Sequence, residues 1–324
     1  MKSIKEQLFR TVVEIPESTV KIDHTLPTLM IGSCFTENMG AFMQHSKFPI
    51  IINPTGIVYN PLSALRVLEV LMSKKIYTAS DLFFSNGLWA SYDHHGSFSS
   101  SSQEECLTKI NTALSNARAH LEKTKILFIT FGTSWIYRLK VTGKVVSNCH
   151  KQPDTLFERS LLKVDEITDA YKIVLEKLHT LYPDLHVVFT VSPIRHWKEG
   201  AHNNQISKSL LHISIEKLTS NFSYTGYFPS YEIVMDELRD YRFYTEDMLH
   251  ISDAATRYIW ERFQETFMSP ETRTLSKEIE DIQKSLLHRP FNSDTTQHNQ
   301  FRDKLSQRIQ NLVHTYPFLI FEGI

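Results

Sequence analysis

Three apolar runs decide what this chain can fold into. TLPTLMIGS ends in a buried-strand signature, and KILFITFG and LHVVFTVSP are two further runs of strand length, each followed by turn residues. None alternates apolar with polar, which is the pattern of strands covered on both faces. FTENMGAFMQHS continues from the first run with apolar residues at helical spacing. Between the second and third lies VDEITDAYKIVLEKLHTLYP, an amphipathic helix stopped by Pro183. Strand, helix and strand in this order predict a three-layer α/β/α fold around a mostly parallel sheet.

At 324 residues the chain can bury a full core as one large or two small domains. The reading assigns residues 1–269 to the α/β unit and 270–324 to a helical extension packed on it. Residues 86–105, NGLWASYDHHGSFSSSSQEE, read as a polar excursion loop outside the core. In the extension, KEIEDIQKSLLHRP and DKLSQRIQNLVHTYPFLIF carry apolar residues at helical spacing, suited to a cap or to a homo-oligomer contact.

Lys plus Arg number 35 against 36 Asp plus Glu, so no basic field recruits nucleic acid or an anionic membrane. No apolar stretch is long enough to span a bilayer, and MKSIKEQLFRTVVEIPE lacks the apolar centre and cleavage site of a secretory signal; the expected location is the cytoplasm. Cys34, Cys106 and Cys149 are an odd number without metal spacing, so no metal site is expected. Adjacent His94 and His95 rarely chelate one ion, and they read as an exposed loop bordering the cleft.

Ligands of an open parallel sheet bind beyond the carboxyl ends of its strands. The loops there hold Gly32, Ser33 and Cys34; Gly132, Thr133, Ser134 and Trp135; and Ser192 to His196. A nucleophile at a strand-to-helix turn gains from the helix amides, which lower a thiol's pKa and can bind an oxyanion. Its base and orienting acid are expected in YTEDMLHISDAATRYIWERF, where Asp247 and His250 stand three apart just before a helix.

IGSCFTENMG, NPTGIVYNP, FITFGTSWIY, NCHKQP, VSPIRHWKEG and YFPSYEIVMDELRDYRFYTEDMLH, spread from about residue 28 to 265, together resemble the GSCFA domain family, a branch of the SGNH (GDSL-like) hydrolases. The resemblance implies an α/β/α catalytic domain, a nucleophile in the first block, a Gly and an Asn as oxyanion donors, and a base from Asp-x-x-His. Asp247 and His250 match that last block, Gly56 matches the second, and Gly132 the third. Ser134 occupies the Asn position, so the oxyanion site is expected from the nucleophile's amide, the Gly56 amide, and Ser134 or Asn148. Without a gap, Ser33 falls on the family's Asp and Cys34 on its Ser; the alternative keeps Ser33 as nucleophile one residue early. Cys34 is favoured, although a Cys beside a strand is ordinarily a small buried hydrophobe.

A thiolate nucleophile forms a thioester and tilts the chemistry toward acyl transfer. The function implied is an acyl-ester hydrolase or acyltransferase acting on an acylated saccharide or another small polar molecule. No cofactor is required, and acyl-coenzyme A is the candidate donor. The alternative is a catalytically silent binding module or scaffold. His150 and His196 are expected near the pocket, His196 binding substrate. Cys149 with His150 is set aside as a dyad, because adjacent residues on an extended segment point to opposite faces. Trp135, Tyr137, Trp197 and Tyr231 would suit a sugar ring, though aromatic residues at strand ends more often serve the core.

Overall fold

A computed structural model describes residues 11–287 and 295–321. Residues 1–10, within the segment read for a secretory signal, and 288–294 and 322–324 of the expected extension lie outside the described residues.

Five strands make the central sheet: β1 (Thr28–Ile31), β2 (Ile50–Ile52), β5 (Ile126–Phe131), β9 (His186–Val191) and β10 (Thr225–Tyr227). Their order is β10-β9-β5-β1-β2, and every pairing is parallel. A hairpin of β3 (Phe83–Ser85) and β4 (Leu88–Ala90), and an antiparallel trio of β6 (Trp135–Leu139), β7 (Val145–Val146) and β8 (Phe157–Leu161), decorate it. The helices are α1 (Cys34–His45), α2 (Pro61–Ser73), α3 (Gln103–Leu121), α4 (Val164–Leu181), α5 (Gly200–Asn221), the short α6 (Ser230–Glu232) running into a π-helical turn Ile233–Glu237, α7 (Asp253–Phe267), α8 (Pro270–Leu287) and α9 (Thr296–Thr315).

Alternation along each strand sorts the core into two layers. Leu29, Ile31, Leu127, Ile129, Val187 and Phe189 pack with α2, α3, α4 and α5. Met30, Ile126, Phe128 and Val188 pack on the other face with α1 and α7, through Met39, Met43, Trp260 and Phe263. The expected α/β/α architecture is therefore the observed one. The pair α8 and α9 builds a third small core from Leu275, Ile279, Ile282, Ile309 and Leu312. It touches the sheet unit through the Ser46 hydroxyl, which donates to Glu280 at 3.0 Å, and through Phe318 stacked on His24. Among the described residues no helix is long and apolar enough to cross a membrane.

The 86–105 segment corrects the sequence reading, because it holds structure rather than a bare loop. Its serines are structural: Ser102 caps α3 by accepting the Glu105 amide, and the Trp89 and Ser100 backbones bond to each other. His94 is also not exposed. It is fully buried beneath Tyr77 and Phe98, with Nδ1 3.1 Å from Ser91 Oγ.

The chain leaves β1 toward β2 on one side and returns to β5 on the other, so the strand order reverses between β1 and β5. The carboxyl ends of these two strands open the crevice in which open α/β sheets place ligands.

Candidate active site

The turn from β1 into α1 is tight because Gly32 allows it. A Cβ there would stand 2.5 Å from Thr36 Oγ1 and 2.7 Å from the Thr130 carbonyl. The Gly32 amide donates to Asn53 Oδ1 at 2.8 Å, and its carbonyl accepts from the Val58 amide, which ties the first block to the NPTG segment. Ser33 is the N-cap of α1, yet its hydroxyl makes no cap bond; it is 1% exposed and unpartnered. Cys34 is the first residue of α1 and is half-buried.

Burial pushes the Cys34 thiol up, outweighing the amides of Phe35 and Cys34 and the Lys208 ammonium, which act downward. The helix amides act in the anticipated sense, but desolvation is larger. A base is required. Tyr59 stands close enough that Cys34 and Glu37 add to the burial that raises its phenol.

Asp247 and His250 occupy a tight turn whose centre, Met248, takes a positive φ of 58°. Asp247 Oδ1 accepts from the amides of Leu249 and His250, both at 2.9 Å, and from the Thr245 hydroxyl at 2.8 Å; Oδ2 lies 2.5 Å from His250 Nδ1. The His250 hydrogen bond and these amides hold the Asp247 carboxyl well below the usual carboxylate range. Buried Ile251 anchors the turn, and Ser252 caps α7 immediately after it. Both side chains of the pair are about half exposed, 47% for Asp247 and 53% for His250, leaving the imidazole approachable by substrate.

His196 links the two halves. Its Nε2 would be 3.2 Å from a Cβ on Gly132, and its ring meets Tyr59 edge-on at 5.6 Å. Burial, then Lys208, His250 and Arg159, push its pKa down to about 4, so it is a neutral imidazole beside the pocket.

The Gly56 and Gly132 amides and the Ser134 hydroxyl are hydrogen-bonded within the protein. The Gly56 amide, at φ 81°, donates to the Asn53 carbonyl at 2.7 Å, and the Gly132 amide to the Tyr59 carbonyl at 2.8 Å. Ser134 is fully buried and its hydroxyl donates to the Ser207 carbonyl at 2.8 Å. Asn148 uses Oδ1 to accept the His150 amide, and His150 Nε2 lies 2.9 Å from the Ser91 carbonyl, so both brace the β3–β4 excursion. Of the oxyanion set expected from Gly56, Ser134 and Asn148, the Gly56 amide and the Ser134 hydroxyl are engaged within the protein, whereas the Asn148 bond uses the acceptor Oδ1 and does not involve its donor Nδ2. Among the sugar-stacking candidates, Tyr231 is buried core and Trp135 lies under the Arg159 guanidinium, while Tyr137 accepts from Lys198; only Trp197 reaches the cavity described below.

Sequence reasoning missed the support from α5. Its inner face is polar for its first turns. The His196 amide donates to Asn204 Oδ1 at 2.9 Å, the Ser134 amide to Ser207 Oγ at 2.7 Å, and Lys208 Nζ to the carbonyls of Gly132 and Ser192, each at 2.6 Å. Lys208 is fully buried, and burial followed by nearby Arg195 draws its pKa down to about 7, with Cys34 acting in the opposite sense. The available signal was positional: Asn204, Ser207, Lys208 and Leu211 share one helical stripe, and a lysine inside such a stripe is unusual.

Buried His94 and the partly buried His196 and His212 set an acid limit. His94, His196 and His212 all drop from 6.5 to about 4, chiefly by burial. A depressed pKa in the fold means the unfolded chain binds more protons between these values. The stabilisation is therefore complete above pH 6.5 and lost as pH falls toward 4. Urea midpoints should drop steeply over that interval; a flat profile would contradict the burial of these rings.

Beside the pair, a cavity of about 690 Å³ is bordered by the Asp247–Leu249 turn and by Arg195, Trp197 and Tyr241.

No curated protein matches the chain. Among solved structures, a carbohydrate esterase family 3 protein from Talaromyces cellulolyticus is 9% identical, with TM-score 0.35 over 78% of this chain and 99% of its own. The Clostridium thermocellum family 3 carbohydrate esterase is 10% identical, with TM-score 0.33 over 81% and 99%. A family two carbohydrate esterase from the same organism, in complex with cellohexaose, is 13% identical, with TM-score 0.36 over 75% and 63%. The GSCFA family matches residues 27–263, and the C-terminal domain of GSCFA domain proteins matches 279–322. With the first of these matches taking in the Gly32–Cys34 turn, the Asp247–His250 turn and the whole sheet between them, the chain belongs to the GSCFA family.

Proposed function

We propose that the protein is an acyl-transferring enzyme of SGNH type, an ester hydrolase or acyltransferase, in which Cys34 is the nucleophile, His250 the base and Asp247 the residue that orients it. The observation carrying this reading is the 2.5 Å contact of Asp247 Oδ2 with His250 Nδ1, made by a carboxylate whose other oxygen is fixed by two backbone amides. Such a carboxylate holds the tautomer that leaves Nε2 free to take a proton, and stabilises the imidazolium that results. Cys34 is favoured over Ser33 because the serine hydroxyl is enclosed while the thiol is half accessible.

In the reaction, His250 Nε2 removes the thiol proton as Sγ attacks the acyl carbon. The amides at the start of α1 and the Asn53 side-chain amide, 3.4 Å from Glu37, are the donors suited to the oxyanion. The leaving oxygen or sulfur collects the proton from His250. Water or a hydroxyl acceptor then gives its proton to His250 and takes the acyl group. The substrate class is an acylated saccharide or a similar small polar ester, with acyl-coenzyme A as the donor for transfer.

A second reading, a binding module without turnover, is favoured by the internal commitment of Gly56, Gly132 and Ser134. Labelling separates the two. Iodoacetamide should modify Cys34 ahead of buried Cys106 and of Cys149, whose thiol burial and Asp154 push up to about 11. His250→Ala should slow Cys34 labelling, and a fluorophosphonate should leave Ser33 untouched. Labelling indifferent to His250 would favour the silent module, and fluorophosphonate on Ser33 would make this a serine enzyme.

A further inference from the structure

The cavity beside the Asp247–Leu249 turn has an unusual floor. Arg195 is half-buried there, directly after the β9 loop that carries Ile194 into the core. Its Nη2 donates to the thioether of Met235 at 3.4 Å, and Arg195 forms no ion pair among the described residues. Neighbouring charges are matched: Arg239 pairs with Asp236 at 2.8 Å, Arg242 lies 3.6 Å from Asp240, and Asp247 is saturated by His250 and the turn amides. A thioether is a weak acceptor for a guanidinium built to grip two oxygens at once. The chain thus leaves one cation without a counter-charge at the wall of a cavity.

The rest of the lining suits a particular shape of ligand. Trp197 and Tyr241, 49% and 77% exposed, line it together with Tyr244, whose ring centroid lies 6.4 Å from that of Tyr241. A volume of about 690 Å³ accommodates a sugar with a substituent. Val234 and Met235 enter the lining from the π-helical turn Ile233–Glu237, a distortion that recurs at ligand sites.

We infer that this cavity binds an oxyanionic group, a carboxylate or a phosphate, on a sugar-sized ligand, with Arg195 as its ligating residue and the aromatic rings packing on the sugar. As a statement about substrate it rests on the acyl-transfer reading, which would make the substrate an acylated acidic sugar; as a statement about binding it stands alone. The guanidinium accepts the anion, and Asp247, Met248 and Leu249 of the same lining immediately precede His250, which would bring an ester on the same ligand toward that residue.

Calorimetric titration with glucose, glucuronate and glucose 6-phosphate tests this without requiring turnover. One of the two anionic sugars should bind at least about tenfold more tightly than glucose, and which one does identifies the anion. Arg195→Met should erase that preference, Arg195→Lys should retain part of it, and Arg239→Met should keep it, since Arg239 is already paired. Near-UV circular dichroism of each variant reports folding, and should Arg195→Met unfold, Arg195→Gln takes its place. Equal binding of neutral and anionic sugars, no binding of any of the three, or a preference that survives removal of Arg195 would overturn the site. Anion-selective binding in a protein that turns over no ester would keep the site and remove the catalytic reading instead.

Discussion

Cys34→Ala is expected to lower turnover of both p-nitrophenyl acetate and an acyl thioester by roughly four to six orders of magnitude, the scale on which covalent catalysis fails when its nucleophile is removed. Ser33→Ala should reduce the rate only modestly. The serine hydroxyl is enclosed and bonds nothing, so its loss alters the packing of the turn rather than the reacting atoms. The thioester should be the better donor, because a thiolate attacking it expels another thiolate, whereas an oxygen ester must release a poorer leaving group that His250 has to protonate. Values of kcat/KM for the two single mutants with both donors make the measurement. Were Ser33→Ala to abolish the reaction and Cys34→Ala to leave it intact, the protein would be a serine esterase.

Asp247→Asn should cost about four orders of magnitude in kcat with little change in KM. The substitution keeps an oxygen for the amides of Leu249 and His250, so the turn still forms. What changes is the partner of Nδ1: an amide nitrogen in place of Oδ2 presents hydrogens to the ring and selects the tautomer whose Nε2 already carries a proton. The pH profile adds a check. Because hydrogen bonds hold the Asp247 carboxyl well below the ordinary range, the carboxylate persists as pH falls, and protonation of Asp247 does not account for loss of rate in mild acid. An Asp247→Asn variant with unaltered kcat would leave the pair as a structural clasp.

The parts of this fold that could be read from sequence are those whose signal is local. β1, β5 and β9 announce themselves because a doubly covered strand is apolar at every position. β2 and β10 escaped, being three residues long and only partly buried. The antiparallel trio was lost in a stretch that mixes Trp, Arg and Glu, since strands facing solvent dilute the apolar pattern. The same division runs through the candidate site. Asp247 and His250 were legible because their contact spans three residues. The engagement of the Gly56 amide and the Ser134 hydroxyl was not legible, because the direction of an amide or hydroxyl depends on its partners, here 3 and 73 residues away. Lys208 was marked only by its place in the α5 stripe and Arg195 by nothing local, since burial of one and the missing counter-charge of the other among the described residues exist only after folding.

The polar stripe on α5 couples the loops that follow β5 and β9, so that they would move as one body. Asn204, Ser207 and Lys208 fit within about 6 Å of helix axis, yet they fasten segments that follow two different strands. A shift of the helix carries both loops along and preserves the spacing between Gly132 and His196, much as a shared baseline cancels drift between two instruments. The arrangement concentrates its weakness in the same place. Fraying of the first turns of α5 would release both loops together while the sheet beneath stayed intact, so the pocket would be disarmed in a single step well before the protein unfolded.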